Sequence, residues 1–86
     1  MNVTQELESL YLEAKESSIP DEQRLHMLIE LIRQVEYMAE KGHETTIDVG
    51  AEYEWIYEEL KNSTLDESQS LQLRLETLRH LSYKEA

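Results

Sequence analysis

The sequence predicts an all-α protein: two tandem helical hairpins, related by a 46-residue internal repeat, forming a four-helix bundle. Three observations carry that expectation. The chain of 86 residues holds only two glycines and one proline, too few for a β-rich or loop-rich fold. Its apolar residues recur every three or four positions, the period of an amphipathic helix. Sliding the chain against itself by 46 residues, without gaps, lays residues 3–40 on 49–86 with 12 of 38 pairs identical. Chance would give roughly three or four for this composition. The identical pairs are Val3/Val49, Glu6/Glu52, Glu8/Glu54, Tyr11/Tyr57, Glu13/Glu59, Lys15/Lys61, Ser17/Ser63, Gln23/Gln69, Leu25/Leu71, Glu30/Glu76, Arg33/Arg79 and Tyr37/Tyr83. Leu10/Ile56, Met27/Leu73, Ile29/Leu75, Ile32/Leu78 and Val35/Leu81 keep apolar character.

Each repeat reads as two helices, within a single domain over 1–86 (repeat one 1–42, repeat two 47–86). The first helix begins near Asn2 and aligns Val3, Leu7, Leu10, Tyr11 and Ala14 on one stripe. Ser17–Asp21 interrupts it. Pro20 suits a first helical turn, and Asp21 and Glu22 suit the positive end of the next helix dipole. The second helix runs from about Pro20 to Lys41, with Gly42 as its C-cap. Leu25, Leu28, Ile29, Ile32, Val35 and Met38 form its apolar face. Met27 and Leu31 widen that face, either filling the interior or offering a surface for self-association. His43–Thr46 links the repeats, with Thr45 or Thr46 expected to cap the third helix. That helix carries Val49, Tyr53, Ile56, Tyr57 and Leu60. Thr64 and Glu67 have capping-box spacing before the fourth helix. Leu71, Leu75, Leu78 and Leu81 form its expected apolar stripe, with Leu73 off it. Two stacked solenoid hairpins are the alternative to a bundle.

Composition narrows the function classes. There is no cysteine, hence no disulfide, thiolate metal site or cysteine nucleophile. The opening Met-Asn-Val-Thr-Gln-Glu does not read as a signal peptide, and no apolar run is long enough to span a bilayer, so a cytoplasmic location is expected. His26, His43 and His80 are not spaced to pair on one helix face. Glu76 and His80 lie one turn apart, the spacing of a surface ion pair. No phosphate loop, nucleophile elbow or EF-hand loop is present. Neither a catalytic set nor a cofactor or metal site is therefore expected. Residues 29–60 (Ile29-Glu30, Arg33, Gly42, Val49, Ile56) faintly resemble the helical hairpins of small sporulation aspartyl-phosphate phosphatases. That family's Ser-Gln-Glu-Leu-Asp motif would fall at Ala51-Glu52-Tyr53-Glu54-Trp55 and is absent, so no role is carried over.

The net charge of −11 repels nucleic acid and anionic membrane and favours a basic partner. Its distribution is uneven. Residues 1–23 carry −5 and residues 42–69 carry −7, while 24–41 balance to zero and 70–86 carry +1. The charge thus sits on helices one and three and the turns after them. Carboxylates one helical turn apart are spaced about 5–6 Å, similar to neighbouring phosphates along a nucleic-acid strand. The expected function is a non-enzymatic acidic binding protein that inhibits or regulates a basic, DNA-binding or nucleoid protein as a DNA mimic of the kind phages and mobile elements use. The expected contact residues are Glu6, Glu8, Glu13, Glu16, Glu52, Glu54, Glu58, Glu59, Asp66 and Glu67, with Trp55, the single tryptophan, as an anchor. Alternatives are an antitoxin or immunity-type neutraliser of a basic toxin or nuclease, and a structural oligomerisation module, including a homodimer.

Overall fold

Asn2 starts the first helix as its periodicity suggests: the Asn2 side chain accepts from the Gln5 N–H at 3.1 Å. The computed structural model describes the backbone of residues 1–85 and the side chains of residues 1–84. Four helices follow one another, α1 (Val3–Glu16), α2 (Asp21–Glu40), α3 (Val49–Lys61) and α4 (Glu67–Glu85), with no strand among the described residues. None of these helices is long and apolar enough to cross a membrane.

The helix ends explain the boundaries. Gly42 takes φ +94° beyond α2. Its N–H donates to Ala39 O, and the His43 N–H donates to Met38 O, the two bonds of a Schellman cap. A side chain at Gly42 would have to hold the same left-handed backbone. α3 is capped by Asp48, which accepts from the Ala51 N–H at 3.2 Å, and not by Thr45 or Thr46. Thr46 is occupied elsewhere, its N–H and hydroxyl both donating to the Glu8 carboxylate. α4 is capped by Asp66, accepting from the Gln69 N–H at 2.8 Å, so the expected Thr64–Glu67 box does not form. Asp66 stands directly before the first helical residue, the position from which a short carboxylate reaches the N3 amide. The Thr64 N–H donates instead to Asp21, tying the second turn to the start of α2.

Packing proceeds in chain order, α1 on α2, α2 on α3 and α3 on α4. The molecule measures 37 × 33 × 15 Å, a packed all-helical molecule consistent with the expected four-helix bundle, with α1 and α4 at the two ends of the packing order. Its core joins Tyr11, Leu25, Leu28, Ile32, Val35, Tyr53, Ile56 and Leu60. The α2 stripe is buried as the periodicity predicts. Helices one and four depart from it. Val3 and Leu10 of α1 are exposed, and Met27 of α2 is exposed beside them. In α4 the expected stripe faces outward: Leu71, Leu75 and Leu78 are 53%, 58% and 45% exposed, while Leu73 is buried. The inner face of α4 is Ser70, Leu73 and Thr77, with His80 and Leu81 partly covered. The reason is topological: α4 packs on α3 and meets α2 through Glu76, His80 and Lys84, and Leu71, Leu75 and Leu78 lie on the side that neither covers.

Positions 46 residues apart share a turn geometry but not a pattern of burial. Ser17 and Ser63 make the same three bonds: a hydroxyl and an N–H given to the carbonyl three residues back, and an N–H received from two residues on. Yet Leu25, Ile29 and Ile32 are buried while Leu71, Leu75 and Leu78, 46 residues on, are exposed.

Candidate interaction surface

The acidic residues divide into two groups once their neighbours are known. Glu8, Glu52 and Glu59 face inward. Glu8 lies on the buried side of α1 and accepts from Thr46 of the inter-repeat linker. Glu52 accepts from the Tyr11 hydroxyl at 2.7 Å and from Lys15 Nζ at 2.8 Å, joining α3 to α1. Glu59 lies 3.6 Å from the Arg24 guanidinium, which also meets Asp21 at 3.2 Å. Glu8 and Glu52 thus tie α1 to the linker and to α3, while Glu59, 38% exposed, makes one longer contact to α2.

Glu6, Glu13, Glu16, Glu54, Glu58, Asp66 and Glu67 are exposed. Asp66 spends one carboxylate oxygen on its cap. Glu58 meets Lys61 at 3.2 Å, an exposed pair of little energetic weight. Glu54 and Glu58 stand one turn apart on α3 beside a groove completed by Tyr57, Leu78 and Leu81. Trp55 is half-buried at the core margin, with Lys15 Nζ 4.4 Å above its ring. Lys15 therefore sits between the indole and Glu52, so Trp55 belongs as much to the α1–α3 joint as to the surface.

A polar cluster between α2, α3 and α4 was not anticipated from sequence. Glu36 is buried and accepts from the Tyr53 hydroxyl at 3.1 Å. His80 Nδ1 is 2.9 Å from the same oxygen, and Lys84 Nζ is 3.4 Å from the other. The imidazole stacks on the Tyr53 ring at 4.9 Å. Arg33 meets Glu76 at 3.3 Å alongside. Glu76 and His80 thus have separate partners across the helix joint and do not pair with each other. The readable signal was an acid inside an apolar stripe: Glu36 follows Val35 and lies one turn beyond Ile32. Among the described residues no three His, Asp or Glu side chains are grouped to hold a metal ion.

Both buried tyrosines have raised phenol pKa values. For Tyr11 burial is the main cause, followed by its bond to the Glu52 carboxylate. For Tyr53 burial again leads, followed by the Glu36 charge. Each folded value exceeds the ordinary 10.0, so the stability these groups contribute is complete below that pH and is lost as pH rises above it. Tyrosinate absorbance during alkaline titration should show both phenols ionising only as helicity disappears. Tyr11→Phe should weaken the alkaline loss of stability. An unchanged alkaline profile would contradict this assignment.

Comparison of the chain with protein-family models, with characterised proteins and with solved structures finds no match.

Proposed function

We propose that this chain is a non-enzymatic acidic binding protein that inhibits or regulates a basic, DNA-binding protein by presenting carboxylates where that protein expects phosphates. The observation that carries the reading is the division of acids. Glu8, Glu52 and Glu59 have positions in the fold, whereas Glu6, Glu13, Glu16, Glu54, Glu58 and Glu67 are kept on the outside at a cost in self-repulsion. Stability alone would favour lysines interleaved with these glutamates. A basic toxin or nuclease meets the same surface by the same physics, which makes neutralisation of such a protein the neighbouring reading.

The test is binding to a purified basic nucleoid-type protein across a salt series. Between about 0.1 M and about 1 M salt the screening length contracts from about 10 Å to about 3 Å. Affinity should fall by at least about tenfold over that range, with most of the early change in the association rate. Binding indifferent to salt would overturn the electrostatic reading.

A further inference from the structure

Two apolar faces of the molecule have no partner, and the internal repeat relates each to a face that does. α2 packs on α3 of the second hairpin, and its Leu25, Ile29 and Ile32 are buried in the core that the two hairpins share. Their counterparts 46 residues on are Leu71, Leu75 and Leu78, the exposed stripe of α4. The second hairpin contributes Val49, Tyr53, Ile56, Leu60 and Leu73 to that core, all buried. Their counterparts are Val3, Leu7, Leu10, Ala14 and Met27. Leu7, Leu10, Ala14 and Met27, with Ile19 and Leu31, line an open apolar groove of about 510 Å³ between α1 and α2. The α4 flank is therefore a second copy of the face that the joint covers, and the α1–α2 groove is a second copy of the face that covers it.

The polar contacts obey the same rule. Across the joint, the Tyr11 hydroxyl and Lys15 meet Glu52, and Arg33 meets Glu76. All five residues belong to identical repeat pairs, whose other members are Tyr57, Lys61, Glu6, Arg79 and Glu30. Tyr57, Lys61 and Arg79 lie on repeat two, and Glu6 and Glu30 lie on repeat one. Within one chain, no ion pair joins Arg79, Glu6 or Glu30 to any described residue, and Lys61 has only the exposed Glu58. The buried Glu36–Tyr53–His80 cluster maps to Ser82, Leu7 and Gln34, so a repeated joint would enclose no unpaired charge there.

We propose that copies of this chain associate head to tail, the α4 flank of one seated in the α1–α2 groove of the next, by repeating the joint between its own hairpins. Such a contact is heterologous: each copy keeps one free face of each kind, and growth continues to a ring or an open filament. This assembly shares Glu6 with the basic-partner reading, and Glu13, Glu54 and Glu58 border its two faces, but it does not require a basic partner: its test reads the mass of the chain alone.

The test uses one variant for each face. Wild-type mass, followed by sedimentation equilibrium over rising concentration, should climb past the dimer. Leu78→Asp removes the α4 face and Leu10→Asp removes the groove; both residues are exposed, so both variants should retain the wild-type helical spectrum. Each alone should be monomeric, its dissociation constant raised by at least about 30-fold. An equimolar mixture should form a dimer and nothing larger, since one good face of each kind remains. A second pair, Arg79→Glu and Glu30→Arg, should each weaken assembly alone and restore it when mixed. A wild-type chain still monomeric at about 1 mM, a mixture that stays monomeric, or a Leu10→Asp variant that dimerises by itself through α4 would overturn the proposal.

Discussion

Replacing Ile32 with alanine is expected to destabilise the monomer by about 3 kcal/mol, while Leu78→Ala is expected to change it by less than about 0.5 kcal/mol. The two positions lie 46 residues apart, the offset at which the sequence aligns with itself, and both carry a branched aliphatic side chain at matching helical spacing. They differ in what lies over them. Ile32 is fully buried between the hairpins, so truncation removes transfer free energy and leaves a cavity that neighbouring helices only partly close. Leu78 lies on the open flank of α4, where truncation uncovers little that water did not already reach. In a domain of this size the Ile32 change corresponds to a melting point lower by about 10–20 °C. Melts should be run at a concentration where the chain is monomeric. Equal losses at the two sites would mean that the Leu71, Leu75 and Leu78 side of α4 is covered after all.

Glu36→Ala should cost about 2–3 kcal/mol, more than any other single change at a charged residue. The carboxylate is the shared acceptor for the Tyr53 hydroxyl, His80 Nδ1 and Lys84 Nζ, and it connects α2 to both helices of the second hairpin. Removing it strands the Tyr53 hydroxyl in a fully buried position. Tyr53→Phe alone should cost about 1 kcal/mol, because Glu36 keeps His80 and Lys84. In the double variant the stranded hydroxyl is gone, so the combined loss should fall short of the sum by about 1 kcal/mol. Strict additivity in chemical denaturation would show that the bond contributes nothing.

Much of the fold could be read from the chain because helix formation leaves local marks. Apolar spacing identified four helices, and Asn2, Gly42 and the Ser17 and Ser63 turns marked their ends. Covered and uncovered stripes could not be told apart, since Leu25-Ile29-Ile32 and Leu71-Leu75-Leu78 carry the same pattern. Whether such a stripe is buried depends on whether a further helix follows in space, and periodicity holds no record of that. The acids pose the same problem at a distance. Glu52 and Glu58 look alike along the chain, yet one bonds Tyr11 and Lys15 across 41 and 37 residues and the other faces solvent. Glu8 and Glu36 lie at inward positions of their helices, but charge counting alone puts Glu8 on the expected contact face and gives Glu36 no role.

On the proposed function, the outward carboxylates serve binding and the inward ones serve the fold. A triple charge reversal, Glu16→Lys, Glu54→Lys and Glu58→Lys, tests it most directly when melting temperature and binding to a basic nucleoid-type protein are measured on the same sample. The variant should melt within about 5 °C of wild type, as for exposed residues in weak pairs, and should lose at least about a hundredfold in affinity at about 0.1 M salt. A variant that melts normally and still binds with wild-type affinity would contradict it.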